Sequence, residues 1–339
     1  MGQGPGLADL TPPEALRRLE VTVVRRLDGY LRGEHLGLLP GPGTELAEAR
    51  LYRPGEDDVR HMDWAVTART TQPHVHDMIA DRELETWALA DLTGSMQLGT
   101  ALRDGRPVLK RDLAISAVAT VAVLTARLGD RFGGYLLTDT DLIRHPARSG
   151  RQALVSMLRD MLATRADLAE PGRHRDAVTL GPALSRLASG HPKRGLRLVV
   201  SDFFDAASGP LTGAADQAPG WELGLRQLAA RHQVLAVEVV DPREGELPDV
   251  GVIELADPET GDIVEIDTSR SATRAAYAEA AARHRERVRV SLRRAGVGHL
   301  VLRTDSDWVR DVARFVLRHR TQSRLARAPR TAAAAGSHR

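Results

Sequence analysis

Oxygen-bearing side chains alternate in the string Asp91-Leu92-Thr93-Gly94-Ser95. In a tight loop, Asp91, Thr93 and Ser95 can turn one carboxylate and two hydroxyls toward a single point. A second carboxylate, Asp202, stands far downstream in Ser201-Asp-Phe-Phe-Asp205. Together these residues make a hard-oxygen donor set, suited to Mg2+, Mn2+ or Ca2+ and not to zinc or copper. Neutral hydroxyl ligands leave part of a cation's charge unneutralised, so an open position attracts a carboxylate from a partner. The same residues after a strand also make ordinary Asx-turns and helix caps. The reading therefore turns on where the fold puts them.

Both strings follow apolar runs. Residues 86–90 read as a strand ending at Asp91, and residues 196–200 as a strand ending at Asp202. Further strands are predicted at 132–137, near Ile143, at 234–240 and at 300–303, with a hairpin over 251–267. Between them lie helical patterns. Residues 107–128 carry Leu109, Leu113, Ala117, Val121, Leu124 and Leu128 on one face. Other helices are predicted at 151–164, 180–188, 222–232, 270–295 and 307–319, the last capped by Asp305 or Ser306. Strands separated by helices imply an α/β, doubly wound, mainly parallel sheet covered on both faces. Such sheets bind ligands beyond the carboxyl ends of their strands. In the order 3-2-1-4-5-6 the first and fourth strands are neighbours, which would bring Asp91 and Asp202 to one edge.

Four segments follow. Residues 1–13 are Gly- and Pro-rich and expected to be disordered. Residues 14–82 form a helix, with Leu16, Leu19, Val23 and Leu27 at helical spacing, and a small β appendage. Residues 83–320 form the main domain, and 321–339 a disordered basic tail.

Composition narrows the chemistry. The chain has 339 residues, of which 42% are hydrophobic but only 4% aromatic, so its core is built of Leu, Val and Ala. It has no cysteine, which excludes disulfides, thiolate metal sites and cysteine nucleophiles. A formal net charge of +2 does not demand nucleic acid. The longest uncharged run, near 113–126, is shorter than the ~20 residues of a membrane-spanning helix. The first residues lack a signal-peptide pattern, so a cytoplasmic protein without a membrane anchor is expected. There is no P-loop, no dinucleotide-binding glycine fingerprint and no nucleophile elbow. A non-enzymatic role is expected. The alternative is a Mg2+-dependent phosphoester hydrolase using Asp91 and Asp202, although no general base and no phosphate-binding Arg or Lys is evident near the strand ends.

One long segment is more specific. Leu51-Tyr-Arg-Pro-Gly-Glu-Asp-Asp-Val-Arg-His-Met-Asp-Trp-Ala-Val-Thr-Ala-Arg69 resembles the signature of the DUF58 family. The segments 199–205, 239–251 and 257–269 are similar to later blocks of that family. Asp91, Thr93 and Ser95 resemble the Asp-x-Ser-x-Ser metal-ion-dependent adhesion site (MIDAS) of von Willebrand factor A domains, with Thr93 in place of a serine. The resemblance implies a von Willebrand factor A-like fold. It also implies partnership with a MoxR-type AAA+ ATPase and an adaptor or chaperone-type role in protein maturation or complex assembly, toward an unknown client. The family's third loop is similar to Val178-Thr-Leu-Gly-Pro-Ala-Leu184, where Val178 falls at the threonine position and cannot ligate. The metal set implied is Asp91, Thr93, Ser95, Thr179 and Asp202. Mg2+ is expected, or Mn2+ or Ca2+, weakened by the change at Val178.

Tyr52, Glu56, Asp57, Arg60, Asp63, Trp64 and Arg69 mix charge with aromatic surface. They read either as a partner-docking surface or as an internal ion-pair network anchored by a buried Trp64. His74 and His76 alternate, but further zinc ligands are lacking. Asp139 and Asp141 read as turn residues, and Thr304 to Asp307 as a helix cap.

Overall fold

The computed structural model describes residues 12–22, 25–26, 49–52, 62–76, 85–103, 105–127, 130–164, 178–204, 218–256 and 263–327. The chain divides into two compact units, residues 1–34 with 84–315, and residues 35–83 with 316–339. In chain order the elements are α1 (Pro12–Thr22), β1 (Ala49–Leu51), α2 (Trp64–Thr70), β2 (His74–His76), β3 (Glu85–Asp91), a 3-10 turn (Gly94–Gln97), β4 (Leu102–Arg103) and β5 (Arg106–Pro107). There follow α3 (Lys110–Arg127), β6 (Arg131–Leu137), β7 (Leu142–Arg148), α4 (Arg151–Ala163), α5 (Leu180–Gly190), β8 (Leu196–Ser201), α6 (Glu222–Ala229) and β9 (Gln233–Val240). The last are β10 (Val252–Ala256), β11 (Ile263–Asp267), α7 (Ser271–Ala295), β12 (Gly298–Arg303) and α8 (Trp308–Arg327).

The larger unit is built on one sheet with strand order β12-β9-β8-β3-β6-β7. Neighbours pair in parallel except β7, which returns antiparallel to β6. The link from Leu137 to Leu142 is too short for a parallel crossover, which needs a dozen or more residues. Counting only the strands of this sheet, the order is the 3-2-1-4-5-6 that places the first and fourth side by side. β3 is buried along its whole length, as a strand covered on both faces must be. Its alternate residues Trp87 and Leu89 join a core with Leu184, Leu225 and Leu292 from α5, α6 and α7. On the larger unit α3 also packs against β3, β6, β8 and β9, and α1 packs against α3 and α4. Residues 113–119 of α3 are buried all round, so this helix is wrapped by its neighbours instead of showing one apolar stripe.

Three boundaries differ from expectation. Residues 106–107 pair with 102–103 as a small hairpin, so Pro107 and Leu109 precede the helix. The final helix is capped by Asp307, whose Oδ1 accepts from the Val309 amide at 3.2 Å. Asp305 is drawn instead to Arg303 at 2.9 Å, and the Ser306 hydroxyl donates to Asp311 at 2.5 Å. That helix runs on to Arg327 through the start of the expected disordered tail. Residues 321–327 contain neither Gly nor Pro, so nothing local stops it.

The amino end of the sheet is closed by an aromatic and cationic cluster. His191 stacks on Trp87 with ring centroids 3.4 Å apart, and its Nε2 lies 3.0 Å from the Tyr135 hydroxyl. Arg197, fully buried, donates to the main-chain oxygens of Glu85 (2.9 Å), Leu196 (3.2 Å), His191 (3.1 Å) and Lys193 (2.8 Å). A Cβ on Gly195 would meet the Glu85 carbonyl oxygen at 2.1 Å, so only glycine lets this loop approach β3 so closely. Burial pushes His191 down to about 4, with Arg197 and Arg144 adding to the effect.

In the smaller unit β1 and β2 pair antiparallel, Ala49 opposite His76. Asp63 accepts from the Val66 amide at 3.0 Å and caps α2. Trp64 therefore occupies the first turn, and it is 70% exposed instead of a buried anchor. His74 Nδ1 is satisfied locally, 2.7 Å from the Gln72 carbonyl oxygen. Among the described residues no helix is long and apolar enough to cross a membrane.

Candidate functional site

β3 and β8 are neighbours, and each delivers a carboxylate at its carboxyl end. Asp91 closes β3 and is buried. Its Oδ1 accepts from the Thr93 amide at 3.1 Å and the Thr93 hydroxyl at 2.6 Å. Its Oδ2 accepts from the Ser201 hydroxyl at 2.7 Å. The hydroxyls of Thr93 and Ser95 lie 3.5 Å apart, and Ser95 is close enough to Asp202 to help hold its carboxyl low. Four of the predicted oxygen donors, Asp91, Thr93, Ser95 and Asp202, thus form one connected cluster. Thr179 is the exposed N-cap residue of α5 and makes no side-chain capping bond.

The backbone after Asp202 is unusual. Phe203 adopts φ 55°, a left-handed conformation that a bulky residue holds only when its surroundings enforce it. The enforcement is visible: its amide donates to Ser201 Oγ at 3.0 Å, and its carbonyl accepts from Trp221 Nε1 at 3.2 Å. Its ring is fully buried, edge-on to Trp221 at 5.1 Å.

Lys110, in the first turn of α3, is the residue the sequence reading missed. It is 1% exposed. Its ammonium donates to Asp202 Oδ2 at 2.7 Å and also to Glu244. Burial opposes its charge, but Asp202 and Glu244 outweigh that and raise it above the ordinary lysine range. Burial likewise opposes ionisation of Asp202, but Lys110 outweighs it and holds that carboxyl below its usual range. Asp91 behaves oppositely. Burial pushes it up to about 6, and the nearby charge of Asp202 adds to the rise. Burial and Asp202 also raise Glu244, against the pull of Lys110.

A third strand end joins the site. Asp241, fully buried after β9, accepts from Thr100 Oγ1 at 2.5 Å, the Thr100 amide at 2.8 Å, the Arg243 amide at 2.9 Å and Thr304 Oγ1 at 2.7 Å. The Asp241 amide donates to Glu244 at 2.8 Å, completing a capping box over Pro242–Glu244. The Asp-x-x-Glu spacing at the end of a strand is the signal that could have found both residues. Asp139, read as a turn residue, accepts from the Gly94 amide at 2.8 Å and so holds the Asp91 loop. Nothing in the sequence marks Lys110, because its partners come from distant strands.

Among the described residues no three His, Asp or Glu side chains gather as metal ligands would. What gathers around Asp91 is two carboxylates with the hydroxyls of Thr93, Ser95 and Ser201. That donor chemistry fits a hard divalent cation. The raised carboxyl of Asp91 is the group such a cation would relieve.

Of the predicted docking residues, Tyr52, Asp63, Trp64 and Arg69 are described, while Glu56, Asp57 and Arg60 lie outside the described residues. The Tyr52 amide donates to the Pro73 carbonyl at 2.8 Å.

Residues 48–287 match the family described as "Protein of unknown function DUF58", and the chain belongs to that family. It is 47% identical over 306 residues to the uncharacterized protein Rv1480 of Mycobacterium tuberculosis H37Rv, covering 90% of this chain and 89% of the relative. It is 40% identical over 176 residues to the uncharacterized protein MAV169 of Mycobacterium avium, covering 52% of this chain and 93% of that protein. Among solved structures it is similar to an aerotolerance-related membrane protein from Bacteroides fragilis, at 13% identity and TM-score 0.39, over 70% of this chain and 99% of that one.

Proposed function

We propose that this chain is a non-enzymatic adaptor with a von Willebrand factor A-like domain. It binds partner proteins through an adhesion-type site and works with a MoxR-type AAA+ ATPase in the maturation or assembly of a client. One observation carries the reading: Asp91, Thr93, Ser95 and Asp202 gather their oxygens in one cluster beyond adjacent strand ends. A strand order with the third strand reversed supports the fold assignment.

These four residues would hold Mg2+, or Mn2+ or Ca2+, with Thr179 as the third-loop donor. The bound cation would supply an attraction for a carboxylate of the partner. Ser201 and the Thr93 amide orient Asp91, and Asp139 fixes the loop between them. The ATPase partnership rests on family membership, and Trp64, exposed on the smaller unit, with Tyr52, Asp63 and Arg69 supplies the proposed docking surface. Lys110 does not favour the hydrolase alternative, because its ammonium is buried against Asp202 and Glu244 and has no access to a phosphoryl group.

Calorimetric titration of the wild type and Asp91→Ala with Mg2+ and Mn2+ tests the site, followed by capture of a MoxR-type ATPase with and without chelator. Cation binding lost in the variant, and capture lost in chelator, are expected. Capture that survives both chelator and Asp91→Ala would sink the metal-dependent part.

A further inference from the structure

Two carboxylates, Asp202 and Glu244, meet at one ammonium at the carboxyl end of the sheet, with Asp91 on the neighbouring strand end. Asp91 and Asp202 sit at neighbouring strand ends, and Glu244 reaches in from the capping box after β9. Lys110 is the cation that two of them share, and it is almost wholly removed from solvent. A lysine used only for packing would keep its ammonium in water and bury its stem. Here the charged end itself is the buried part, held by hydrogen bonds to both acids. Asp202 Oδ2, which it takes, belongs to a carboxylate that the adhesion-type reading assigns to a metal ion.

We propose that Lys110 is a tethered counter-cation, which does at Asp202 the electrostatic work a divalent ion would otherwise do and sets how strongly such an ion binds. The proposal rests on the adhesion-type reading for its metal arm, but its charge-compensation arm stands without it. Two consequences follow. The carboxyl end stays assembled without any divalent ion, and an ion entering the site must share Asp202 with the ammonium.

The test uses the full chain and three variants: Lys110→Met, Lys110→Met with Asp202→Asn, and Lys110→Arg. The midpoint of thermal unfolding is measured in chelator and in Mg2+, and Mg2+ affinity is measured by calorimetry. The wild-type midpoint should rise only slightly from chelator to Mg2+, as weak binding to the folded chain requires. Lys110→Met should melt about 10 °C lower in chelator, since it strands buried charge. It should bind Mg2+ at least about tenfold more tightly than the wild type, and Mg2+ should restore its midpoint. The double variant, which removes one charge of each sign, should recover most of the loss in chelator, and Lys110→Arg should lose less than Lys110→Met. Equal Mg2+ affinity in wild type and Lys110→Met would overturn the metal arm while leaving the adhesion-type reading intact. No Mg2+ binding in either, with recovery in the double variant, would remove the adhesion-type reading and leave the counter-cation standing. A double variant no more stable than Lys110→Met overturns the proposal, because the lysine would then act through packing alone. If Lys110→Met is not recovered folded, the double variant decides: a folded protein supports the proposal and an unfolded one overturns it.

Discussion

The two ends of the central sheet bury charge in opposite ways. At the amino end, Arg197 donates to four main-chain carbonyl oxygens. Its charge is met chiefly by fixed dipoles, with Glu85 the acid near it. At the carboxyl end, Asp202 and Glu244 share one ammonium, while Asp91 beside them is held by two hydroxyls and the Thr93 amide. The first arrangement holds the fold, although the Arg197 Nε finds no hydrogen-bond partner among the described residues. The second keeps an excess of negative charge, which is what a site for a cation or a cationic group requires.

The contrast can be broken most forcefully at Arg197. Arg197→Met should cost about 3–4 kcal/mol in urea unfolding, since several buried carbonyls lose their donor at once. A cost below about 1 kcal/mol would mean that water replaces the guanidinium and the amino end is not closed. Asp91→Asn should do the reverse and stabilise the protein at pH 8 by about 2 kcal/mol. The folded-state carboxyl, at about 6, lies above its ordinary value. The stability tied to its proton is fully present below about pH 4 and is lost as pH rises through 6, so the gain from Asn should vanish near pH 4.

His191 tilts the other way in nearly the same window. Its folded-state value, about 4, lies below the ordinary one. Stability is then present above about pH 6.5 and lost as pH falls through 4. His191→Gln should flatten the acid limb of a stability–pH curve by about 1–2 kcal/mol, where Asp91→Asn flattens the limb of opposite sign. A shared slope in both variants would show that the ends are not separately tuned. The smallest effect expected is at Tyr135→Phe, which removes the hydroxyl beside His191 and should cost about 1 kcal/mol with no change in cation binding.

Much of this was legible in the residues. The alternation of strands and helices follows from apolar runs ending in acids, and the meeting of Asp91 with Asp202 follows once the common doubly wound order is assumed, because a two-sided parallel sheet leaves few other arrangements. The reversed β7 leaves no trace in the apolar pattern, and only the short link between residues 137 and 142 reveals it. Lys110 was invisible for a different reason. A lysine at a helix start reads as solvated, and only the approach of β8 and the turn after β9 makes it a buried cation. Trp64 left two readings open, a docking surface or a buried anchor, and the cap at Asp63 removes the second by placing it in an open first turn.

The bonds of Asp241 carry one more consequence, for the timing of synthesis. Its carboxylate draws donors from Thr100, long since made when Asp241 appears, and from Thr304, not yet made. A nascent chain can therefore pair β3, β6 and β8 and still lack the staple that joins the ends of β9 and β12. The acidic end of the sheet reaches its final form only after residue 304 has left the ribosome. A chain arrested before that point would expose an unfinished, negatively charged face to whatever waits outside the exit tunnel.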